Sequence, residues 1–267
     1  MFDNTLHIPL KFYTAVEKQD RFKPFVVNRR FVQWADSTHL PEFQVRVALN
    51  DNLTALKLVD VLDDSETAIT TSGSDFYEVD FTSYTYVIYD QTLALTGMPY
   101  GDYYLKLTTT TGTYYSEVFS IGDIVGKTIF EYYGINDIGG VDYTNTPKAQ
   151  YKNTLILDTT LAKPEYTVEE EAVEDGEGNV LVTFQRLVKK FKLWFYAPEH
   201  IADACSMIPL HDYVTLTTNY GEANQETGLI YDVAVTTEWM DTKGLAKITI
   251  EFRDQPIIKT TCANNIT

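Results

Sequence analysis

Along much of this chain, apolar residues recur at every second position. Phe43, Val45, Val47 and Leu49 fall on one side, with Gln44, Arg46 and Ala48 between them. A period of two predicts a half-buried strand. Leu56 and Leu58 continue the pattern, Tyr77, Val79 and Phe81 predict another strand, and Tyr84–Tyr89 another. Asp63-Asp64-Ser65 and Ser72-Gly73-Ser74 punctuate these runs as turns. A turn at 97–101 then feeds a strand with Tyr103, Leu105 and Leu107 on one face. Thr108–Thr111 with Gly112 makes the next turn, and Tyr115, Glu117, Phe119 and Ile121 form one face of a closing strand. About seven short strands, with turn signals every ~8–12 residues, predict an immunoglobulin-like β-sandwich over residues 31–123. The Gly-x-Tyr-Tyr at 101–104 fits that fold's tyrosine corner. There is no Cys…Trp…Cys framework, so an antibody-type domain is not implied.

Ile121–Gly126 reads as a junction, and residues 124–267 as a second, β-rich assembly domain. Lys127–Tyr133 and Thr154–Asp158 are strand candidates around a Gly and Asp loop at 134–140. Tyr166–Val173 and Val180–Val188 pair across Asp175–Asn179, a hairpin tip with the required turn residues. Phe191–Tyr196 is strongly apolar. Pro198 stands where a first helical residue would, with Glu199 and Asp203 early, as the helix dipole prefers. Ile201, Ala204, Cys205 and Ile208 follow at helical spacing, which predicts one short helix. Tyr213–Thr218 is a further strand. Leu229, Tyr231, Val233, Val235 and Trp239 share one side of the next, Asp241–Gly244 turns it back, and Ala246, Ile248, Ile250 and Phe252 alternate through the last. No fixed-period repeat is present, so a solenoid or propeller is excluded. Residues 1–30 have no clean period and read as an extended N-terminal arm with at most one short element. The expected fold class is therefore mostly all-β: an immunoglobulin-like β-sandwich plus a second β-rich domain with one short helix.

Composition fits this reading. The chain has 267 residues, 44% of them apolar, and holds 19 Tyr and 14 Phe. That apolar fraction argues against wholesale disorder, and Tyr, Phe, Thr and Val suit a pleated surface. Charge changes the picture more. The net charge is −17, which argues against a nucleic-acid or anionic-membrane binder, because phosphate contacts need clustered Lys and Arg. An acidic wall that DNA slides past remains compatible. The first 30 residues hold six bases against three acids, a net of +3, which leaves −20 for the rest. A basic arm on an acidic body could dock on a neighbouring copy; the plain alternative is a solvated terminal segment. Two cysteines, Cys205 and Cys262, exclude a disulfide scaffold. One bridge between them is possible, and two buried thiols fit better. The N-terminus lacks the pattern of a secretory leader, and no run reaches the ~18 apolar residues of a membrane helix. The expectation is a protein made in cytoplasm and kept there unless a particle carries it out.

Candidate chemistry is sparse. Glu169, Glu170, Glu171, Glu174, Asp175 and Glu177 offer carboxylates to a calcium ion, yet EF-hand spacing is absent and a hydrated hairpin rim accounts for them. The histidines are His7, His39, His200 and His211. Cys205 with His200 and His211 suggests zinc, but His200 and Cys205 lie five apart, ~140° around a helix, so they do not share a face. No nucleophile elbow, dinucleotide fingerprint or phosphate loop occurs. No catalytic, cofactor-binding or metal-ligating residue is assigned, and no enzyme is expected. Tyr84, Tyr86, Tyr89, Tyr100, Tyr103, Tyr104, Tyr114 and Tyr115 crowd the first domain. Outward tyrosines can stack on sugar rings or anchor a protein interface, and the alternative is that they simply cover a sandwich.

Three stretches carry a resemblance. One is Gly101–Leu107 followed by Tyr114–Phe119. Another is Ala162–Glu171 with the hairpin and Phe191–Tyr196. The third joins Ala197–Ala204, Leu210-His211-Asp212 and Lys259–Asn265. Together they resemble virion structural proteins of tailed phages that infect Bacteroides-type gut bacteria, in particular the crAss-like phages, whose tails contain stacked ring proteins. The similarity spans about residue 95 to the end. It implies a non-catalytic subunit of a tail or neck ring, located in the virion. Its expected partners are copies of itself and neighbouring tail or neck proteins, with DNA passing through unbound. The alternative is a carbohydrate-binding or adhesion module.

Overall fold

The computed structural model describes residues 8–14, 33–36, 42–49, 51–69, 76–80, 84–89, 98–144, 151–174, 176–178, 180–240, 245–254 and 257–260. Their regular backbone is almost entirely strand, with a single short α-helix.

The first ten strands are β1 (Phe12–Thr14), β2 (Gln33–Asp36), β3 (Phe43–Ala48), β4 (Leu53–Asp60), β5 (Glu66–Ile69), β6 (Phe76–Asp80), β7 (Tyr84–Tyr89), β8 (Gly101–Thr109), β9 (Thr113–Ser116) and β10 (Phe119–Gly122). They make two sheets. In the larger, β8 has β4 along one edge and both β9 and β10 along the other. β5 extends the sheet beyond β4, β1 runs antiparallel outside β9, and β2 runs parallel outside β10. The smaller sheet has the order β3-β7-β6. Phe43, Val45 and Val47 of β3 pack on Leu56 and Leu58 of β4, Leu105 and Leu107 of β8, and Phe119 and Ile121 of β10. The two sheets thus bury their apolar faces on each other, as alternating strands must. The Tyr103 hydroxyl at the start of β8 donates to the Pro99 carbonyl, 3.0 Å away.

Residues 8–14, expected to lie in an arm, belong to this sandwich. Ile8, Leu10, Lys11, Phe12 and Tyr13 are buried, and the rings of Phe12 and Phe43 lie 5.1 Å apart. Ile8, Leu10 and Phe12 do alternate at a period of two, but Pro9 within the run weighs against a strand, and only Phe12–Thr14 forms one. The remainder of that predicted arm, residues 1–7 and 15–30, lies outside the described residues.

The second set of strands is β11 (Thr128–Tyr133), β12 (Asn153–Leu157), β13 (Thr160–Leu161), β14 (Glu165–Glu174), β15 (Val180–Pro198), β16 (Tyr213–Thr218), β17 (Glu226–Leu229), β18 (Tyr231–Trp239), β19 (Leu245–Arg253) and β20 (Ile257–Thr260). Helix α1 (Glu199–Met207) and a 3-10 turn at Ile208–Leu210 follow β15 directly. One sheet has the order β12-β11-β16-β17. The other is organised on β15, a strand of 19 residues. Its C-terminal half lies between β13 and β19, with β18 beyond; its N-terminal half lies between β14 and β20. Phe130, Tyr132, Leu155 and Leu216 from the first sheet meet Leu193, Phe195, Ile248 and Ile250 from the second, and Ile201, Ala202 and Cys205 of α1 close the core.

Two local expectations shift. Pro198 is the last residue of β15 and stands at the helix N-cap, so Glu199 opens α1. Leu229 and Tyr231, expected on one strand, belong to different sheets. β17 ends at Leu229 against β16, and β18 begins at Tyr231 against β19. Between them Ile230 is buried and Asp232 takes a positive φ of 50°. Arg253 forms an ion pair with Asp232 there. Apolar alternation runs unbroken through this corner, so periodicity cannot reveal that the chain changes sheets.

Every strand pairing among the described residues stays within 12–122 or within 128–260. The two units are joined instead by buried side-chain amides. Gln33 donates to the Thr154 carbonyl at 3.0 Å and accepts from the Ile156 amide at 3.1 Å. Gln44 donates to the Asp142 carbonyl at 2.6 Å and accepts from the Asp142 amide at 3.0 Å. Both glutamines are only 1% exposed. The Lys127 ammonium adds a contact 4.1 Å from the Trp34 ring centre.

Candidate assembly surface

The most prominent surface feature is the hairpin of β14 and the N-terminal half of β15. β14 holds five glutamates, and Val168, Val173, Val180, Val182 and Val188 of the two strands favour extended backbone. Gly178, at a positive φ of 86° in the connecting turn, adopts a conformation that a side chain would disfavour. The register runs from Glu165 opposite Lys190 to Glu174 opposite Val180, with a bulge at Glu171/Ala172.

Directly paired residues share a face. Tyr166 sits beside Lys189 and Val168 beside Leu187 on one face; Glu169 sits beside Arg186 on the other. Arg186 Nε donates to Glu169 at 2.6 Å, and the Gln185 amide donates to Glu170 at 2.7 Å. These exposed contacts orient the strands and add little stability. β14 buries almost nothing. Tyr166 is 64% exposed, Val168 58% and Val173 57%. Among the described residues this strand of 10 residues pairs with β15 alone.

Residues 165–177 hold seven acids and no base. Several of the neighbouring bases are matched to acids: Glu165 stands opposite Lys190, Arg186 pairs with Glu169, and Lys192 pairs with Glu251. Of the acidic run considered for calcium, Glu169, Glu170, Glu171 and Glu174 lie along β14 and Glu177 in the turn beyond it, while Asp175 lies outside the described residues. Among the described residues, no group of three or more His, Cys, Asp or Glu side chains is placed to hold a metal ion.

The zinc candidates have other tasks. His211 Nδ1 lies 2.8 Å from the Met207 carbonyl, and Nε2 lies 2.7 Å from the Tyr143 hydroxyl. Asn153 in turn donates to Tyr143, and the Tyr151 hydroxyl donates to Asn153 at 3.1 Å. With Nδ1–H donating to the carbonyl and Nε2 accepting, the network needs a neutral ring. Burial pushes the His211 pKa down, partly opposed by the Met207 and Ile208 carbonyls and by Asp212. The Cys205 thiol is fully buried and burial pushes its pKa up, the opposite of an activated nucleophile. His200 lies at the boundary of the two units, with Nδ1 3.6 Å from Glu117, which also accepts from the Tyr13 hydroxyl at 2.5 Å. His7, His39 and Cys262 lie outside the described residues.

Tyr103 and Tyr104 are buried and Tyr114 and Tyr115 half-buried, while Tyr100 is exposed. The side chains of Tyr84, Tyr86 and Tyr89 lie outside the described residues. A groove of about 350 Å³ opens between the two sheets of the second unit, lined by Leu161, Lys189, Phe191, Leu216, Leu229 and Phe252.

Sequence reasoning missed Gln33, Gln44 and Asp51. The fully buried Asp51 accepts from the Thr109 and Thr110 hydroxyls at 2.6 and 2.7 Å and from the Thr111 amide at 2.9 Å. Burial pushes its pKa up, and these three donors more than reverse that, leaving it below the usual aspartate value. The four-threonine run thus supplies donors to an anchored carboxylate. A polar residue at an outward strand position was the one available sign for Gln44.

No helix among the described residues is long and apolar enough to cross a membrane. No protein-family model and no curated protein matches this chain.

Proposed function

We propose that this chain is a structural subunit of a tailed-phage virion, assembling into a ring of the tail or neck through which DNA passes, and that it performs no chemistry. The observation that carries the reading is a β-scaffold of two units joined by buried amides, with a solvent-exposed, acid-rich strand, β14, that pairs with β15 alone among the described residues. A ring subunit needs a fixed body and a contact that reaches the next copy. The net charge of −17 supports passage of DNA without adhesion. The protein is made in the host cytoplasm and carried in the particle.

Under this proposal the first unit is an immunoglobulin-like sandwich. Support comes from the β3-β7-β6 sheet facing a sheet built on β4 and β8, from the parallel pairing of β2 with the closing strand β10, and from the hydrogen bond of Tyr103 to Pro99. The burial of Tyr103 and Tyr104 withdraws two of the aromatic faces on which a sugar-binding module would rest.

Quantitative mass spectrometry of purified source particles tests the reading. A fixed stoichiometry that is a symmetric multiple of the portal copy number is expected. Absence from washed particles overturns it.

A further inference from the structure

We propose that one face of the β14–β15 hairpin is a self-complementary docking surface, on which two copies of this chain pack with antiparallel strands about a two-fold axis. The contact is independent of the virion reading, because a two-fold pair joins two copies and closes no ring by itself.

The face continues the core of the second unit out to solvent. Side chains alternate along β15, so Gln185, Leu187, Lys189, Phe191, Leu193 and Phe195 share one side. Leu193 and Phe195 are buried in the core against the β12-β11-β16-β17 sheet. At Phe191 the groove opens between the two sheets. Beyond it Lys189, Leu187 and Gln185 are only half-buried, and the residues paired with them on β14, Tyr166, Val168 and Glu170, are exposed. Glu169 and Arg186 pair on the opposite face and take no part.

The patch is three rows of directly paired residues: Tyr166 with Lys189, Val168 with Leu187, and Glu170 with Gln185. The middle row is apolar. One flanking row carries a cation and an aromatic ring, the other an anion and an amide. Laid antiparallel on a copy of itself about the middle row, the patch sets each lysine row on a glutamate row, twice, with Val168 and Leu187 meeting their own counterparts. Laid parallel, it brings the two lysine rows together and the two glutamate rows together, and like charges facing each other are destabilising. The Gln185 amide donates to one Glu170 oxygen at 2.7 Å, which orients the carboxylate and leaves its other oxygen for the partner's lysine. A patch that complements itself is what an isologous contact requires, and the exposed Tyr166 and Val168 supply apolar surface for it to bury.

Sedimentation velocity and native mass spectrometry of the full-length chain test this at low salt. The wild type is expected to be a dimer. Lys189→Glu and Glu170→Lys each set like charges across the axis twice and should weaken the dimer about tenfold or more. Mixed in equal amounts, the two variants should pair with each other and recover the wild-type affinity, because acid again meets base at both ends. Circular dichroism and melting check that each variant folds. A thiol cross-linker gives a second reading that needs no change of charge. In a chain with Cys262→Ser, Val168→Cys near the axis should be captured as a covalent dimer, and Thr167→Cys, on the opposite face, should not. A wild type that stays monomeric at high micromolar concentration, a dimer that neither reversal weakens, or Thr167→Cys linking as readily as Val168→Cys overturns the contact. None of these results touches the particle stoichiometry, so this contact and the virion reading fail separately.

Discussion

His211 shows how a residue that suggests chemistry in sequence can serve structure instead. Its ring is packed edge-on against Tyr132, with centroids 4.7 Å apart, and against Tyr143, 5.5 Å apart. Both nitrogens are committed to the Met207 carbonyl and the Tyr143 hydroxyl. Protonation would turn the accepting nitrogen into a second donor aimed at a hydroxyl that already receives a proton from Asn153. The folded pKa is pushed below the usual 6.5. The sign of the linkage follows. The unfolded chain binds the proton more readily, so the contribution of His211 to stability is complete above about pH 6.5 and declines as pH falls toward the folded value. Thermal melting from pH 7.5 down to 5 should therefore show a falling midpoint. A His211→Asn chain should start less stable and decline less steeply over that range. Parallel curves for the two proteins would remove His211 as the cause.

Among the elements, legibility tracked how cleanly one face is buried. In β19 the alternation of Ala246, Ile248, Ile250 and Phe252 was readable because all four enter one core. The helix was readable from Ile201, Ala204, Cys205 and Ile208, all buried. The β17–β18 corner was not, since a strand that changes sheets keeps its period. Neither were Ile8, Leu10 and Phe12, whose period of two is interrupted by Pro9, a residue that argues against a strand. The hairpin was found from its turn residues, but nothing in its sequence indicated how exposed β14 would be. That exposure has a measurable consequence. Among the described residues β14 pairs with β15 alone and buries little, whereas β19 lies between β15 and β18 over a buried core. Few buried contacts mean cheap local opening. Amide hydrogens of β14 in the dissociated chain are expected to exchange about 100-fold or more faster than those of β19, and to slow on assembly. Equal protection of the two strands in the dissociated state would show that the hairpin is packed in a way this structure lacks.

At the scale of the whole molecule, the question is what holds together two β units that share no ladder among the described residues. The ring proposed above would ask each subunit to present its two contacts at a fixed angle, and so would ask for a stiff joint. Gln33 and Gln44 supply that stiffness by acting as short pieces of backbone. Each side-chain amide both donates to and accepts from the main chain of the second unit, at β12 and at Asp142. The joint was not legible in the sequence, where a Gln on a strand looks like any solvated position and Gln44 alternates with apolar residues as an outward residue should. Truncation to Ala deletes the partner of one carbonyl and one amide in each case, and a buried group left unpaired costs about 1–3 kcal/mol. Gln33→Ala and Gln44→Ala should each lower stability by about 2 kcal/mol or more. The double variant should lose less than the sum, because breaking one half of the joint lets water reach the other. It should also separate the units: urea unfolding followed by tryptophan fluorescence, from Trp34 after replacing Trp194 and Trp239 or from Trp194 and Trp239 after replacing Trp34, should give one coincident transition for the wild type and two for the double variant. Coincident transitions in the double variant, with fully additive losses, would show that apolar packing and not these amides holds the units together.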